Sequence, residues 1–197
     1  MVFIDLTKAF GSVDRAELWQ ILLKIRCPQK FVNIIRSFHE GMMCQVTDDG
    51  EISTAFSTTN GTKQGCALAP LLFCIFFAMM LLIAFKDCKL GIPVRFRTDG
   101  NVFNLRRLQA RRKTFSAVIR DLLYADYCAL LAHSEADAQH LFDRFYTAAS
   151  RFGLTVSLKK TEVLLQSRNR SSYFSPSLTA GDIELPVVDK FCYPAAF

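Results

Sequence analysis

An apolar run from Leu71 to Phe85 constrains this chain more than any other stretch of its sequence. The run holds fifteen residues without a charge, follows Pro70, and is ended by the charged pair Lys86-Asp87. A helix that crosses a bilayer needs about 20 apolar residues, so this run is too short to be a typical span. It therefore predicts a helix buried in a protein core, and association with a membrane through residues 71–85 stays open as an alternative.

The N-terminus and the cysteines indicate the compartment. Asp5 and Lys8 interrupt the N-terminal segment before a long apolar stretch forms, which predicts that the chain has no signal peptide. The seven cysteines form no C-x-x-C pair, and the three histidines stand in no metal-ligand spacing. This pattern predicts reduced thiols, no zinc site, and an intracellular protein of the nucleus or cytoplasm.

Apolar periodicity and turn residues together favour an α+β fold. The spacing of apolar residues predicts helices in residues 13–25, 31–38 and 134–152. Turn residues predict a hairpin at 48–50 and a second, tight hairpin that turns at Asp126-Tyr127. Hairpins dominate the strand pairing, which predicts a mostly antiparallel sheet with helices packed on one face. The length of 197 residues fits a single domain over 1–197.

The net charge of +6 comes from one segment. Residues 95–113 contain seven basic residues and one acid, and the basic and acidic groups of the rest cancel. A generally basic protein that coats nucleic acid is thereby disfavoured. We expect a basic loop within an insertion at 86–120. It is either a solvated loop or the contact surface of a non-catalytic nucleic-acid-binding module, which is a second alternative function. Its basic residues are Arg95, Arg97, Arg106, Arg107, Arg111, Arg112 and Lys113.

Two carboxylates, Asp5 and Asp126, stand at the ends of apolar strand-like runs, where an apolar residue is usual. Two such carboxylates brought together can bind Mg²⁺, a hard cation that takes oxygen ligands. Two metal ions held in this way support nucleotidyl transfer. Composition alone favours the plainer interpretation of two ordinary turn aspartates, since aspartate is common in turns.

Five sequence words resemble motifs A to E of the reverse transcriptases of non-LTR (LINE-type) retrotransposons. In chain order they are FIDLTKAF (3–10), NGTKQGCALAPLLF (60–73), LLYAD (122–126), GLTVSLKKTE (153–162) and VDKFCY (188–193). One such word would be weak evidence. Five of them in the family's order, over nearly the whole chain, make the resemblance specific.

The resemblance implies the palm of a right-hand polymerase, an RNA-directed DNA polymerase that takes an RNA template, a DNA primer and dNTPs. Asp5 and Asp126 would be the catalytic residues that ligate Mg²⁺. Phe10 would pack under the sugar of the incoming nucleotide and select against a 2′-hydroxyl. Gln64-Gly65 would let the backbone approach template and nucleotide, and Lys160 would lie near the pyrophosphate leaving group.

The sequence departs from the family pattern in ways that predict an inactive copy. The family ends motif C in two aspartates, but Tyr127 stands at the second position, and a neutral phenol does not replace a carboxylate as a Mg²⁺ ligand. Gly11 stands where motif A usually continues with aspartate. We also expect the fingers before motif A and the thumb after motif E to be missing. A degenerate palm fragment of this kind leaves a third alternative, a translated pseudogene without function.

Overall fold

The structure, a computed structural model, describes residues 1–63, 65–97, 114–166 and 175–191. These residues form helices together with mostly antiparallel strands, in agreement with the α+β class predicted from sequence. Some sequence predictions lie outside the described residues, namely those on Gln64, Arg106, Arg107, Arg111, Arg112, Lys113 and the end of the motif E word (192–193).

Five helices lie in the described part of the chain: α1 (Ala9–Ser12), α2 (Arg15–Lys24), α3 (Gln29–Ser37), α4 (Ala69–Ala84) and α5 (Glu135–Arg151). Side chains cap two of them. The Asp14 carboxylate accepts a hydrogen bond from the Glu17 amide at 3.0 Å, and the Ser134 hydroxyl accepts one from the Asp137 amide at 3.1 Å. Each cap satisfies an amide that has no partner within the helix. The helices predicted from apolar spacing are confirmed.

The strands are short. In the described residues they are β1 (Val2–Ile4), β2 (Leu6–Thr7), β3 (Met43–Cys44), β4 (Thr47–Asp48), β5 (Glu51–Ile52), β6 (Phe56–Ser57), β7 (Ile92–Arg97), β8 (Thr114–Ile119), β9 (Asp121–Tyr124), β10 (Tyr127–Leu130), β11 (Thr155–Val156), β12 (Glu162–Leu164), β13 (Thr179–Ala180), β14 (Ile183–Glu184) and β15 (Val187–Val188). The β4–β5 ladder confirms the hairpin predicted at 48–50.

The chain divides into two compact units. The first unit comprises Met1–Asp5, Asp87–Arg144 and Ser157–Phe197, and the second comprises Leu6–Lys86 and Phe145–Val156. Each unit is described by itself below.

A five-stranded sheet is the centre of the first unit. Its strand order is β15-β12-β1-β10-β9, and every pair is antiparallel except β12 with β15. The central strand β1 pairs Val2 with Leu130 of β10 and with Val163 of β12. All three side chains are buried, so the sheet has an apolar core at β1.

Helix α4 is the centre of the second unit and contains most of the apolar run at 71–85. Its phenylalanines Phe73, Phe76 and Phe77 are almost fully buried. Phe76 and Phe77 make edge-on ring contacts with Phe152 and Phe145, at centroid distances of 5.4 and 6.2 Å. The core helix predicted from the sequence is confirmed. None of the helices in the described ranges combines the length and the apolar character needed to cross a membrane.

Strands β7 and β8 correct the prediction of a basic loop that begins at Arg95. The two strands pair over six residues each, and Arg95 is opposite Ser116 in this ladder. Apolar residues alternate along β7, and Phe96 faces Phe115 across the strands with ring centroids 6.0 Å apart. This period of two favours a strand, and the charge of the arginines obscured it in the sequence.

Candidate active site

Asp126 lies at the tip of the hairpin that β9 and β10 form. The register pairs Tyr124 with Tyr127, so the two connecting residues are Ala125 and Asp126. The turn predicted at Asp126-Tyr127 is therefore wrong by one residue. Ala125 takes a positive φ of 51°, as the first connecting residue of a two-residue hairpin turn commonly does. Tyr127 instead begins β10 opposite Tyr124, and it is half-buried.

Asp5 directly follows β1 and interrupts the strand predicted at the N-terminus. Its side chain is buried, although a carboxylate is rarely buried without a partner. That partner is Lys160, whose Nζ lies 3.2 Å from Oδ2 of Asp5. The Lys160 side chain is itself 72% exposed, so the ion pair joins a buried carboxylate to an ammonium in water.

The turn from Ser157 to Thr161 brings Lys160 to Asp5. The Ser157 amide donates to the Asp5 carbonyl at 2.9 Å, and the Ser157 carbonyl accepts from the amides of Lys160 and Thr161 at 3.0 and 2.9 Å. The Thr161 hydroxyl donates to the same carbonyl at 2.9 Å, and Thr161 is completely buried. Sequence reasoning missed the roles of Ser157 and Thr161, and their i, i+4 spacing was the available signal.

The two predicted metal-binding carboxylates lie at one end of the five-stranded sheet. Strands β1 and β10 are antiparallel, and their ladder ends with Ile4 opposite Cys128. Asp5 directly follows Ile4, and Asp126 comes two residues before Cys128, so both carboxylates extend beyond the same end of this ladder. Cys128, at this end of the ladder, is buried, and burial raises the pKa of its thiol.

The carboxylates at this end of the sheet are ligands of the type that Mg²⁺ prefers. Mg²⁺ is typically bound by one or two carboxylates, with water and substrate phosphates as the remaining ligands. Asp5 and Asp126 supply two carboxylates, whereas Tyr127 supplies only a phenol. Within the described ranges, no group of three or more His, Cys, Asp or Glu side chains is arranged to hold a metal ion.

Phe10 and Gly65 line one pocket in the second unit. Phe10 belongs to α1, and its ring centroid lies 4.5 Å from that of Phe73. Gly65 has φ of 85°, a conformation that favours glycine, and a Cβ there would meet nothing within 4 Å. The pocket is open and has a volume of roughly 390 Å³, and its other lining residues are Cys66, Ala67, Ala69 and Pro70.

Hydrogen bonds join the start of the motif B word to the motif A segment. The Gly61 amide donates to the Val13 carbonyl at 2.8 Å, and the Thr62 amide donates to the Phe10 carbonyl at 2.9 Å. A Cβ on Gly61 would lie 2.8 Å from the Gly11 carbonyl oxygen, so the two backbones are in close contact. Gly11 itself has room, because its own Cβ would meet only Lys8, at 4.0 Å.

Residues 1–173 match the protein family described as "Reverse transcriptase (RNA-dependent DNA polymerase)". The chain belongs to the reverse transcriptase family. The resemblance stated from the five sequence words is thereby confirmed.

Two relatives indicate the type of reverse transcriptase. The chain is 27% identical over 157 residues to the "Retrovirus-related Pol polyprotein from type-2 retrotransposable element R2DM" of Drosophila melanogaster, covering 80% of this chain. It is 32% identical over 75 residues, 38% of this chain, to the "Probable RNA-directed DNA polymerase from transposon X-element" of the same species. These matches cover 13% and 8% of the relatives, so this reverse transcriptase domain spans a small part of their length. It is of the non-LTR retrotransposon type.

Proposed function

We propose that this reverse transcriptase domain is a polymerase palm that has lost its activity through a change in motif C. The substrates of the ancestral reaction are an RNA template, a DNA primer and dNTPs. The observation that carries the proposal is the pair of carboxylates, Asp5 and Asp126, beyond the same end of the β1–β10 ladder. The mostly antiparallel sheet supports a palm with helices packed on one face.

Asp5 and Asp126 are the proposed ligands of Mg²⁺. When bound, Mg²⁺ supplies a Lewis acid that favours ionisation of the primer 3′-hydroxyl and neutralises phosphate charge. Asp5 suits this role because its only ion-pair partner among the described residues is the exposed Lys160, which can leave at little cost. Asp126 suits it because it lies at the tip of the β9–β10 hairpin, beyond the last paired residues of both strands.

Lys160, Phe10 and Gln64-Gly65 are the proposed contacts to the nucleotide and template. In nucleotidyl transfer, the primer 3′-oxygen bonds to the α-phosphorus of a dNTP, and pyrophosphate leaves. The Lys160 ammonium can stabilise the negative charge that develops on this leaving group. Phe10 offers an aromatic face to the sugar, and the open backbone at Gly65 permits close approach, which is consistent with the pocket that both residues line.

Tyr127 is the proposed cause of inactivity. A neutral phenol provides no negative charge to hold a second divalent cation, so the two-metal arrangement is incomplete. Gly11 contributes less in this proposal, because an aspartate at that position is not one of the two proposed Mg²⁺ ligands. Its surroundings in α1 leave room for a side chain. A copy with these two changes binds at most one Mg²⁺ in this account.

The test is Mg²⁺-dependent dNTP incorporation on a primed RNA template. We compare the unmodified chain with Tyr127→Asp and with Tyr127→Phe, which removes the hydroxyl without adding a carboxylate. We expect incorporation by Tyr127→Asp alone, directed by the template base. Robust incorporation by the unmodified chain would contradict the claimed inactivity. Absence of incorporation by all three would show that motif C is not the decisive lesion.

A further inference from the structure

Arg15 is a buried arginine of the second unit. Only 9% of the residue is exposed, and no carboxylate in the described residues forms an ion pair with it. Burial lowers the pKa of its guanidinium, although that group stays charged at neutral pH. A buried cation of this kind is costly unless every donor finds an acceptor, so its contacts indicate its role.

The guanidinium of Arg15 donates to four main-chain carbonyls. Nε reaches the Gly61 oxygen at 2.7 Å, and Nη2 reaches the Asn60 oxygen at 3.0 Å. Nη1 donates to the oxygens of His39 and Thr58 at 2.9 and 2.8 Å. Three of these acceptors belong to the short segment 58–61, and the fourth lies just beyond the end of α3. One side chain thus orders a loop that has no regular secondary structure of its own.

The segment ordered by Arg15 continues directly into the pocket lined by Phe10 and Gly65. The next amide, that of Thr62, donates to the Phe10 carbonyl at 2.9 Å, and Gly65 follows three residues later. A shift of the 58–61 segment would therefore move one wall of this pocket relative to the other. The close packing of Gly61 against Gly11 transmits such a shift, because neither glycine has a side chain that would hold the two backbones apart.

We infer that Arg15 is a positioning residue that holds the motif B loop at the correct distance from Phe10 and so shapes the pocket for a nucleotide. The inference rests on the proposed function for the identity of the ligand only. Arginine suits the role because its planar fork directs five N–H groups in fixed directions, whereas lysine directs three from a single nitrogen. Arg15→Lys keeps the charge and removes the fork.

The experiment compares Arg15→Lys with Arg36→Lys, the same change at an exposed arginine of α3 in the same unit. Both are made in the Tyr127→Asp chain. Hydrogen exchange of the Gly61 and Thr62 amides is followed by NMR, and dTTP affinity with Mg²⁺ is measured by calorimetry. We expect Arg15→Lys to raise both the exchange rates and the dTTP dissociation constant about tenfold, as lost charge-assisted hydrogen bonds and a misplaced pocket wall imply. Exchange in α4 should change less than about twofold, because its core is untouched.

The inference would be overturned if the Gly61 and Thr62 amides exchanged at the same rates in Arg15→Lys as in Arg36→Lys. It would also be overturned if Arg15→Lys raised the exchange rates in α4 as much as those of Gly61 and Thr62, because a general rise indicates that Arg15 only stabilises the unit as a whole. If Arg15→Lys does not fold, the unmodified chain decides, since the Nε–H proton of Arg15 should exchange far more slowly than that of Arg36. Equal Nε–H exchange rates for Arg15 and Arg36 would also overturn the inference. A parent chain that binds no dTTP would contradict the proposed function, and the exchange measurements would still decide the role of Arg15.

Discussion

The Nζ of Lys160 lies 3.2 Å from Oδ2 of Asp5, so a lysine contacts the carboxylate that the proposed function assigns to Mg²⁺. The two partners differ in exposure, because Asp5 is buried and Lys160 is largely in water. An exposed ammonium gains little from such a pair, typically less than about 1 kcal/mol. In the proposed site Mg²⁺ and Lys160 would therefore compete for one carboxylate, and the exposed lysine would be the partner that moves away.

Removal of Lys160 should strengthen the binding of Mg²⁺. In Lys160→Met the carboxylate of Asp5 loses the ion pair with Lys160, so Mg²⁺ should raise the Tm more than it does in the unmodified chain. Thermal unfolding followed by circular dichroism, with and without Mg²⁺, measures this shift. Lys159→Met is the matched control, since Lys159 is exposed and is not paired with Asp5. Identical Mg²⁺-induced shifts in the two variants would refute the competition.

Substitution by alanine should destabilise the chain more at Gly61 than at Gly65, although the two glycines have nearly equal φ angles. Gly61→Ala should lower the free energy of unfolding by at least about 1 kcal/mol more than Gly65→Ala does, because overpacking adds to the cost of the backbone conformation. The φ angles are 84° and 85°, but a Cβ on Gly61 would lie 2.8 Å from the Gly11 oxygen, and one on Gly65 would meet nothing within 4 Å. Urea denaturation of both variants measures the difference. Equal losses would mean that the close contact with Gly11 does not exist in solution.

Phe10 should control the choice between deoxyribonucleotides and ribonucleotides. In the Tyr127→Asp chain, Phe10→Ala should raise the ratio of rNTP to dNTP incorporation about tenfold, because a large side chain no longer excludes the 2′-hydroxyl. Phe31→Ala is the control, since Phe31 is an exposed phenylalanine of the same unit. Incorporation assays on a primed RNA template give the ratio. An unchanged ratio in Phe10→Ala would remove this residue from the nucleotide site.

Cys128 should make the stability depend on alkaline pH. Burial, reinforced by the charge of Asp121, raises the pKa of its thiol above that of a cysteine in an unfolded chain, about 8.5. Above that pH the unfolded chain releases a proton that the folded chain keeps, so the free energy of unfolding falls by up to about 1.4 kcal/mol per pH unit for this group.

Cys128→Ala removes this titrating group. The stability advantage of the unmodified chain over Cys128→Ala should therefore shrink as the pH rises from 8 to 10. Urea denaturation under reducing conditions at several pH values measures the difference. An advantage that stays constant over this range would show that the thiol of Cys128 is not protected in the folded chain.

Local sequence patterns predicted the helices well. The spacing of apolar residues located α2, α3 and α5, because each buries one stripe, and the unbroken apolar run at 71–85 located α4. The β4–β5 hairpin was predictable from the residues of its turn. The strand β7 was missed because its alternating pattern includes two arginines, and their charge obscured the period of two in the sequence.

Long-range contacts could not be predicted from local sequence patterns. The Asp126 turn was predicted one residue away from its position, since the register of β10 depends on pairing with β1 as well as on the turn. The strand-end positions of Asp5 and Asp126 could be predicted, but the ion pair of Asp5 with Lys160 could not. Arg15 was missed for the same reason, because its acceptor on Gly61 lies 46 positions along the chain. Side-chain hydrogen bonds to distant carbonyls leave no periodic signal.

The most direct test of the central claim is the binding of Mn²⁺, a paramagnetic substitute for Mg²⁺, measured by electron paramagnetic resonance. The variants are Asp5→Asn and Asp126→Asn, with Asp121→Asn as the control carboxylate, which is ion-paired with Arg120 at the other end of β9. Asp5→Asn and Asp126→Asn should each weaken Mn²⁺ binding about tenfold or more, and Asp121→Asn should leave it unchanged. If all three variants bind Mn²⁺ as the unmodified chain does, Asp5 and Asp126 do not form a metal site.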